Sequence, residues 1–247
     1  MSTPIVLLHA FPLDHRMWED VAAALPADRP VLVPDLPVPP GEDLPAASLD
    51  EAADRVAALV EEAGGRAVVA GLSMGGYIAL ALLERHPGLV AGLALLDTKA
   101  TADTPEAAAN RLRIAAAVED AGSVEPVLGL ADTLVGESTR AARPQVRARV
   151  RGWIGEQDPA RVSWSQRAMA ARPDRTEVLR AFDGPVAVVV GDEDTLTGAD
   201  AAEHMAKAAP QAQLVVVPRA GHLSAVEDAP VVTTALVELL QRVDGDV

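Results

Sequence analysis

The chain has 247 residues, which is within the range of one globular domain, and 49% of them are apolar, enough to fill a sizeable core. It contains no cysteine, which excludes disulfides, thiolate metal sites and cysteine nucleophiles. The formal charge of −15 argues against nucleic acid and anionic membranes as partners, and it disfavours strongly anionic substrates near the surface. Because neither a signal peptide nor a run of the ~20 apolar residues of a membrane helix is evident, we expect a cytoplasmic protein.

Short Val- and Leu-rich runs alternate with longer Ala-rich helical patterns along the first 100 residues. Ser48 and Glu51 have the spacing of a capping box and predict the start of a helix. The proline-rich residues 34–41 predict a loop. Strands are predicted at residues 4–8, 31–33, 67–70 and 93–97, and helices at residues 17–25, 49–63 and 74–86.

Residues 101–182 differ from the rest of the chain because they contain no convincing strand. They predict three or four helices, with breaks near Gly122, Gly136, Pro159 and Pro173. We interpret them as an all-helical segment that interrupts the strand–helix alternation and lies over one end of a sheet.

The alternation resumes after this segment, with strands at residues 186–190 and 214–217 and helices at residues 199–209 and 230–242. Strands that alternate with helices indicate a mostly parallel, doubly wound sheet with helices on both faces. The sequence therefore predicts an α/β fold whose core consists of residues 1–100 and 183–247, with residues 101–182 inserted as a helical cap.

A Gly-x-Ser-x-Gly motif at Gly71, Ser73 and Gly75 joins a predicted strand directly to a predicted helix. A serine on such a tight turn takes strained backbone angles, and glycines two positions to either side avoid the collisions that side chains would cause. The turn exposes the Ser73 hydroxyl at a helix N-terminus, where the helix dipole favours developing negative charge. Ser73 is therefore a candidate nucleophile, with an ordinary glycine-rich turn as the alternative.

A serine hydroxyl needs a base to take its proton, and the chain has five histidines. His222 follows the predicted strand at residues 214–217, so it lies at the carboxyl end of a strand, as Ser73 does. Catalytic groups gather at those ends in open α/β sheets, and His222 is therefore the predicted base. Structural, helix-capping or surface roles are expected for the others, His9, His15, His86 and His204.

Three carboxylates could orient the imidazole of His222: Asp97, Asp192 and Asp194. Each follows a predicted strand, and each satisfies the chain order serine, aspartate, histidine. Carboxylates after strands also commonly cap helices, so the residues alone leave this choice open.

Together these motifs resemble the α/β-hydrolase superfamily over nearly the whole chain. Residues 7–12, followed by Met17-Trp18, are similar to the family's His-Gly-x-Pro segment and its tryptophan, and residues 191–194 are similar to its Gly-x-x-Asp turn. Residues 221–230 resemble its histidine loop and closing helix, and residues 168–174 resemble the stretch that returns the chain to the sheet in small single-domain members. The resemblance implies the α/β-hydrolase fold and favours Asp194 over its neighbour.

By resemblance, the backbone N–H groups of Phe11 and Met74 would form an oxyanion hole, which acyl transfer usually requires. The chain also departs from the family pattern. Ala10 replaces the usual glycine beside the oxyanion residue, and Val38-Pro39-Pro40 replaces the glycines of an Asp-x-Pro-Gly-x-Gly turn, which predicts a stiffer loop. Gly198 stands where a proline often follows the acid turn, a change of little expected effect.

The resemblance implies a serine hydrolase for a small carboxylic ester, lactone or thioester. Ser73 would attack the carbonyl, His222 would take the proton and return it, and Asp194 would hold the imidazolium. No metal or organic cofactor is expected. The expected partner is a small-molecule substrate, and the protein would be a monomer or a small homo-oligomer. Candidate pocket residues in the helical segment, with ordinary packing as the alternative, are Leu134, Trp153, Trp164 and Met169.

Two other functions remain open at this point. The same three residues could serve C–C bond hydrolysis, cofactor-free haloperoxidase or perhydrolase chemistry, or a lyase reaction. A binding protein could also keep the fold without catalysis, although such proteins usually lose the nucleophile or the histidine, and both are present here.

Overall fold

A computed structural model of the chain describes residues 2–37 and 43–245. Six strands form one sheet in the order β2-β1-β3-β4-β5-β6, and every neighbouring pair is parallel. The predicted parallel α/β architecture is thereby confirmed. The strands are β1 (Ile5–Leu8), β2 (Val31–Leu32), β3 (Ala67–Leu72), β4 (Val90–Leu96), β5 (Val186–Gly191) and β6 (Ala212–Val217).

The four central strands are buried along their whole length, which explains their unbroken apolar sequences. β6 lies at one edge of the sheet and exposes Leu214 and Val216. Of the predicted loop at residues 34–41, the part from Val38 to Gly41 lies outside the described residues. Because β3, β4, β5 and β6 are parallel neighbours, their carboxyl ends lie side by side at one end of the strands. We call this side of the sheet the carboxyl edge.

Helices cover the sheet and fill the long connection between β4 and β5. None of the described helices combines the length and apolar character that crossing a membrane requires. The described α-helices are α1 (Glu19–Ala24), α2 (Leu49–Glu62), α3 (Met74–Arg85), α4 (Pro105–Ala121), α5 (Ala131–Leu134), α6 (Glu137–Ala142), α7 (Pro144–Gly155), α8 (Pro159–Ala170), α9 (Thr176–Arg180), α10 (Gly198–Ala208), α11 (Ser224–Glu227) and α12 (Ala229–Asp244).

Two helix starts differ in detail from the sequence prediction. The helix predicted at residues 17–25 begins as a 3₁₀ turn at His15–Trp18, because the Asp14 carboxylate accepts a hydrogen bond from the Arg16 N–H at 3.0 Å. At the start of α2, the Ser48 hydroxyl accepts from the Asp50 N–H at 3.1 Å. Ser48 therefore caps the helix as predicted, but it bonds to Asp50, the second residue of α2, and not to Glu51 as a capping box would.

The stretch between β4 and β5 contains helices α4 to α9, six rather than the predicted three or four, and a 3₁₀ segment at Glu125–Leu130. The break near Pro159 was predicted, but the one at Pro144, which separates α6 from α7, was missed. Each proline occupies the first turn of its helix, where its missing N–H costs nothing.

The helical stretch is fastened to the core where it returns to the sheet. The Arg175 N–H donates to the Ala100 carbonyl at 2.8 Å, so the two ends of the stretch meet. The buried Arg175 guanidinium also donates to Asp50 at 2.5 Å and to Glu84 at 2.9 Å. These bonds fix the ends of the helical stretch against α2 and α3.

Candidate active site

Ser73 lies at the junction of β3 and α3 with φ 52° and ψ −111°, a strained conformation for a residue other than glycine. A Cβ on Gly71 would lie 2.2 Å from the Gly75 carbonyl oxygen, and a Cβ on Gly75 would lie 2.1 Å from the Leu8 carbonyl oxygen. The turn therefore needs glycine at both positions. The predicted strained turn is confirmed.

Ser73 and His222 meet across the edge of the sheet although they are far apart in the chain. Ser73 Oγ lies 2.8 Å from His222 Nε2, and His222 Nδ1 lies 3.0 Å from Asp194 Oδ2. All three residues are nearly withdrawn from solvent, with 9% of Ser73, 3% of His222 and 8% of Asp194 exposed. The candidate nucleophile, base and orienting acid are thus joined by hydrogen bonds in the order that acyl transfer needs.

The Asp194 carboxylate is held by its own turn. It accepts hydrogen bonds from the Leu196 N–H at 2.8 Å, the Thr197 N–H at 3.3 Å and the Thr197 hydroxyl at 2.5 Å. Burial by itself would raise the pKa of Asp194, but His222 and these donors outweigh burial and hold this pKa well below its usual range. Asp194 is therefore ionised at neutral pH and has a fixed orientation.

Asp97 is buried nearby but does not contact His222. It accepts hydrogen bonds from the Gly191 N–H at 2.9 Å, the Ser224 N–H at 3.1 Å and the Ser224 hydroxyl at 2.5 Å. Burial, reinforced by the charge of Asp194, raises the pKa of Asp97 to about 7 against the opposing effect of His222 and the donors. Asp97 thus ties the end of β4 to the turn after β5 and to the loop of His222.

The third candidate acid, Asp192, accepts from the Arg219 N–H at 2.6 Å and braces two loops. Of the three candidates that the sequence left open, Asp194 is the one in hydrogen-bond contact with His222. Asp97 and Asp192 both organise the backbone around that contact.

The other histidines make contacts of the kinds expected for them. His9 is buried; its Nε2 accepts from the Leu36 N–H at 2.9 Å, which leaves its Nδ1–H to donate to the Ala10 carbonyl at 3.0 Å. Burial lowers the pKa of His9, in keeping with a neutral ring. The remaining three pair with polar side chains: His15 with Asp35, His86 with Asp54 and His204 with Thr176.

Ser73 and His222 open onto a cavity of about 260 Å³ between the sheet edge and the helical stretch. Of the four pocket residues predicted from the sequence, Leu134 and Met169 line this cavity. The other lining residues are Phe11, Tyr77, Lys99, Ala107, Asn110, Arg111, Ile114, Leu130, Gln166, Leu196 and Thr197.

Trp153 and Trp164 are not in the cavity wall, which corrects that part of the sequence prediction. The Trp164 indole is buried and donates from Nε1 to the Pro45 and Ala46 carbonyls at 2.9 and 3.2 Å, so it joins the helical stretch to the chain before α2. Trp153 packs beside Arg149, whose guanidinium lies 5.0 Å from the centre of the Trp153 ring. Apolar character alone did not show which helix face turns toward the cavity.

Phe11 and Met74, the predicted oxyanion residues, both lie near Ser73. Met74 is the first residue of α3, so its N–H has no acceptor within that helix, and Phe11 lines the cavity beside Ser73. The described non-glycine residues with positive φ are Ser73, Asp97 and Arg219. Ala10 therefore replaces the family's glycine without backbone strain.

A larger groove, of about 730 Å³, lies elsewhere and is lined by Asp20, Arg143, Arg149 and Pro230, among others. Volume alone would make this groove the candidate active site, but neither Ser73 nor His222 lines it. The smaller cavity is the candidate site because it is the one that the nucleophile and base share.

One described cluster has the spacing of metal ligands: Asp14, His15 and Asp35, whose donor atoms lie within 4.8 Å of one another. Its groups already have protein partners. Asp14 accepts from Arg16 and Gln157, and His15 Nδ1 lies 2.9 Å from Asp35. We interpret the cluster as an ion-paired surface group.

Two features of the site were missed by the sequence analysis. Glu227 is buried and accepts from the N–H groups of Gly136 and Gly221, each at 2.9 Å; it belongs to the stretch that resembles the family's histidine loop, but the resemblance gave it no role. Lys99 and Arg111 line the cavity. A signal existed for Lys99, because it follows a predicted strand at the sheet edge of Ser73 and is one of only two lysines in the chain.

The comparisons with known proteins agree with this geometry. Residues 3–229 match the family described as alpha/beta hydrolase fold, and the chain belongs to that family. A thermophilic esterase from Thermogutta terrifontis is 38% identical and superposes with a TM-score of 0.93, the match covering 98% of this chain and 91% of that one. The protein is thus a hydrolase whose structural relatives include an ester-cleaving enzyme.

Two curated relatives extend the comparison over most of their own length. The 2-succinyl-6-hydroxy-2,4-cyclohexadiene-1-carboxylate synthase of Enterobacter sp. (strain 638) is 30% identical, over 96% of this chain and 91% of that protein. The pimeloyl-[acyl-carrier protein] methyl ester esterase of Neisseria meningitidis is 29% identical, over 88% of this chain and 86% of that protein. The chemistry of these relatives differs although the fold is shared.

Proposed function

We propose that Ser73, His222 and Asp194 form a catalytic triad that hydrolyses a small carboxylic ester, lactone or thioester. The observation that carries the proposal is the unbroken chain of hydrogen bonds from Ser73 Oγ through His222 to Asp194, beside a cavity of limited volume. Two of the reported relatives are named as esterases, which supports ester hydrolysis as the reaction.

In the first half of the reaction, Ser73 Oγ attacks the substrate carbonyl carbon while His222 Nε2 takes the hydroxyl proton. The carbonyl oxygen becomes an oxyanion, which the backbone N–H groups of Phe11 and Met74 stabilise. Asp194 keeps the second ring nitrogen of His222 protonated and stabilises the imidazolium that forms. His222 then gives its proton to the leaving alcohol, and the acyl group remains on Ser73.

In the second half, a water molecule replaces the alcohol. His222 takes a proton from the water, and the resulting hydroxide attacks the acyl carbon. Collapse of the second oxyanion breaks the bond to Ser73, whose oxygen recovers the proton from His222. The products are a carboxylic acid and an alcohol, or a carboxylic acid and a thiol where the substrate is a thioester.

We further propose that residues 101–182 act as a cap on a core formed by residues 1–100 and 183–247. Helices α4, α5 and α8 contribute Ile114, Leu134 and Met169 to the cavity wall, which supports a role in selecting the substrate. A cavity of about 260 Å³ falls below the range of roughly 300–1,000 Å³ for drug-sized ligands. A small substrate fits this volume better than a long-chain ester.

Labelling with a small fluorophosphonate tests the nucleophile directly. Intact mass should increase by one adduct on the wild type and by none on Ser73→Ala, because the reagent phosphonylates an activated serine. Ser73→Ala should also reduce ester turnover by roughly 10³-fold or more while its circular dichroism spectrum stays unchanged. An unlabelled but folded wild type would instead favour the non-catalytic binding protein.

The second candidate is the lyase reaction that the sequence left open, an elimination by the same residues, and a relative named as a synthase and not as an esterase supports keeping it. His222, held by Asp194, would then take a proton from a substrate carbon, the C–H electron pair would form a double bond, and a leaving group on the neighbouring carbon would depart with its bonding electrons. No acyl group would be attached to the protein. Rapid quenching during turnover followed by mass spectrometry separates the two reactions: an acyl adduct on Ser73 supports hydrolysis, and an unsaturated product with no adduct at any quench time supports elimination.

A further inference from the structure

The wall of the Ser73 cavity carries two cationic side chains, Lys99 and Arg111. Both are largely withdrawn from solvent, with 27% of the Lys99 side chain and 22% of the Arg111 side chain exposed. Lys99 follows β4 at the sheet edge, whereas Arg111 belongs to α4, so the core and the helical stretch contribute one cation each. Among the described residues, the cavity wall contains no carboxylate.

One buried carboxylate holds these cations in place. Asp103 lies 2.5 Å from Arg111 Nε and 3.2 Å from Lys99 Nζ. A third cation, Arg172, donates to the same carboxylate at 2.7 Å and stacks on Tyr77 at 4.0 Å. Burial would raise the pKa of Asp103, but the hydrogen bonds from Arg172 and Arg111 outweigh burial and hold it well below its usual range. Three cations therefore surround one anion, an excess of two positive charges at neutral pH.

Arg111 has donors that Asp103 does not use. A guanidinium carries five N–H donors, and the other contacts of Arg111 are to Gln166 Oε1 and Met169 Sδ, both neutral acceptors at 3.4 Å. Positive charge that is partly withdrawn from water and only weakly compensated attracts an anion more strongly than a solvated surface charge does. The cavity is therefore suited to an anionic ligand.

The rest of the wall narrows the choice of anion. Ile114, Leu130, Leu134 and Met169 form an apolar wall beside the two cations. A substrate that fits this cavity has a short apolar chain. It carries an ester or lactone carbonyl that Ser73 can attack and an anionic group that Lys99 and Arg111 can bind. A carboxylate suits this place because a planar guanidinium can donate two parallel hydrogen bonds to it.

We propose that Lys99 and Arg111 bind an ionised carboxylate on a small ester or lactone substrate, of which the half-ester of a dicarboxylic acid is the simplest example. This inference rests on the proposed function, since it names the substrate class of the Ser73 site. It reverses the expectation drawn from the net charge of −15. Exposed charges more than about 8 Å away are screened at physiological salt, so the cavity wall governs binding inside the cavity.

Two esters of one diacid test the proposal by kinetics. Monomethyl glutarate is hydrolysed to glutarate and methanol, and dimethyl glutarate has the same chain without the charge. We expect kcat/KM for the monomethyl ester to be higher by roughly tenfold or more, since hydrogen bonds to a charged group are among the stronger ones. Lys99→Met and Arg111→Met should remove most of this preference, chiefly by raising KM.

The second lysine provides a matched control. Lys207 lies on α10, is 77% exposed and pairs with Glu203, so Lys207→Met removes the same charge away from the cavity. This variant should keep the preference of the wild type. Equal kcat/KM values for the two esters in the wild type, or a preference that survives both cavity substitutions, would overturn the proposal.

Equilibrium binding separates this proposal from the proposed hydrolysis. Glutarate should bind to Ser73→Ala in calorimetric titration, and adding Lys99→Met should weaken it by roughly tenfold, whereas adding Lys207→Met should not. If Ser73 is labelled and dimethyl glutarate is cleaved but glutarate does not bind, the carboxylate site is wrong and the esterase stands. If glutarate binds through Lys99 but neither ester is cleaved, hydrolysis is wrong and the site stands. If inorganic phosphate binds more tightly than glutarate does, and Lys99→Met weakens that binding, the choice of a carboxylate is overturned.

Discussion

The carboxyl edge of the sheet and the helical stretch that faces it are built in different ways. At the sheet edge, parallel strands fix the backbone, and Ser73, Asp194 and His222 are joined by short hydrogen bonds. The facing stretch consists of six α-helices, three of them no longer than six residues, and it presents mostly apolar side chains to the cavity. We infer from this contrast that the sheet edge carries the chemistry, whereas the cavity wall that selects the substrate is shared between the sheet edge and the helical stretch.

The largest expected effect comes from the acid at the sheet edge. Asp194→Asn should reduce kcat by roughly 10³- to 10⁴-fold, because an amide cannot stabilise the imidazolium or hold the required tautomer of His222. Asp97→Asn is the matched substitution of a second buried carboxylate, and it should cost less than about tenfold because Asp97 bonds Gly191 and Ser224 instead. Steady-state kinetics on one ester compares the two. A larger loss in the Asp97 variant would move the acid to that residue.

The turn that carries Ser73 should tolerate no side chain at Gly75. The helical stretch, in contrast, should tolerate a side chain at Gly152. Gly75→Ala places a Cβ 2.1 Å from the Leu8 carbonyl oxygen and should lower the free energy of unfolding by roughly 3 kcal/mol or more. Gly152→Ala, on an open face of α7, should raise it by about 0.5–1 kcal/mol. Urea denaturation measures both. Similar values for the two variants would show that the regions do not differ as described.

Side chains of the helical stretch should affect substrate binding more than the chemical step. Leu134 lines the cavity, so Leu134→Ala should raise KM for a cleaved ester by roughly tenfold and leave kcat within about threefold. Ile154→Ala provides the control, because Ile154 is equally buried in α7 but is not in the cavity wall. Both variants lose packing, so a KM change shared by both would reflect general loosening of the stretch.

The smallest effect is a pH dependence of stability that arises at the sheet edge. Burial raises the pKa of Asp97 to about 7 in the folded protein, from an ordinary value of 3.8. Between these values the folded state binds more protons than the unfolded state, so this contribution to stability is complete below about pH 4 and is lost as pH rises to 7. The slope is on the order of 1 kcal/mol per pH unit.

Denaturation at pH 5, 6, 7 and 8 checks this assignment. The wild type should lose more stability across the series than Asp97→Asn does, since the variant has no carboxyl to titrate at that position. Asp194 adds no slope in this window, because its pKa lies well below the usual range. Parallel profiles for the two proteins would contradict the raised pKa.

The sheet and the strained turn of Ser73 were predictable because their signals are local. Unbroken apolar runs marked the buried strands, and the glycine spacing around Ser73 follows from backbone contacts within the turn. His222 was found through its position after a strand. Asp97 and Asp194 could not be separated by such reasoning, because both follow strands and only the folded chain decides which one reaches the imidazole.

The helical stretch was less predictable because its contacts are distant in sequence. The Trp164 indole points away from the cavity because it donates to the carbonyls of residues 45–46, which lie more than 100 positions away in the chain. Lys99 could have been found from its position after a strand, but a net charge of −15 does not reveal that Lys99, Arg111 and Arg172 converge on Asp103. Averages over a chain carry no information on such local clusters.

Glu227 has a consequence for exchanging parts between related enzymes. Its carboxylate accepts from the Gly136 N–H in the helical stretch and from the Gly221 N–H beside His222, so one side chain spans both regions. A chimera that takes the helical stretch from a relative inherits whatever backbone faces this carboxylate. A graft that does not supply an N–H at position 136 would leave a buried acceptor without its donor and disturb the loop of His222. Residues 136 and 227 therefore have to be transplanted as a pair.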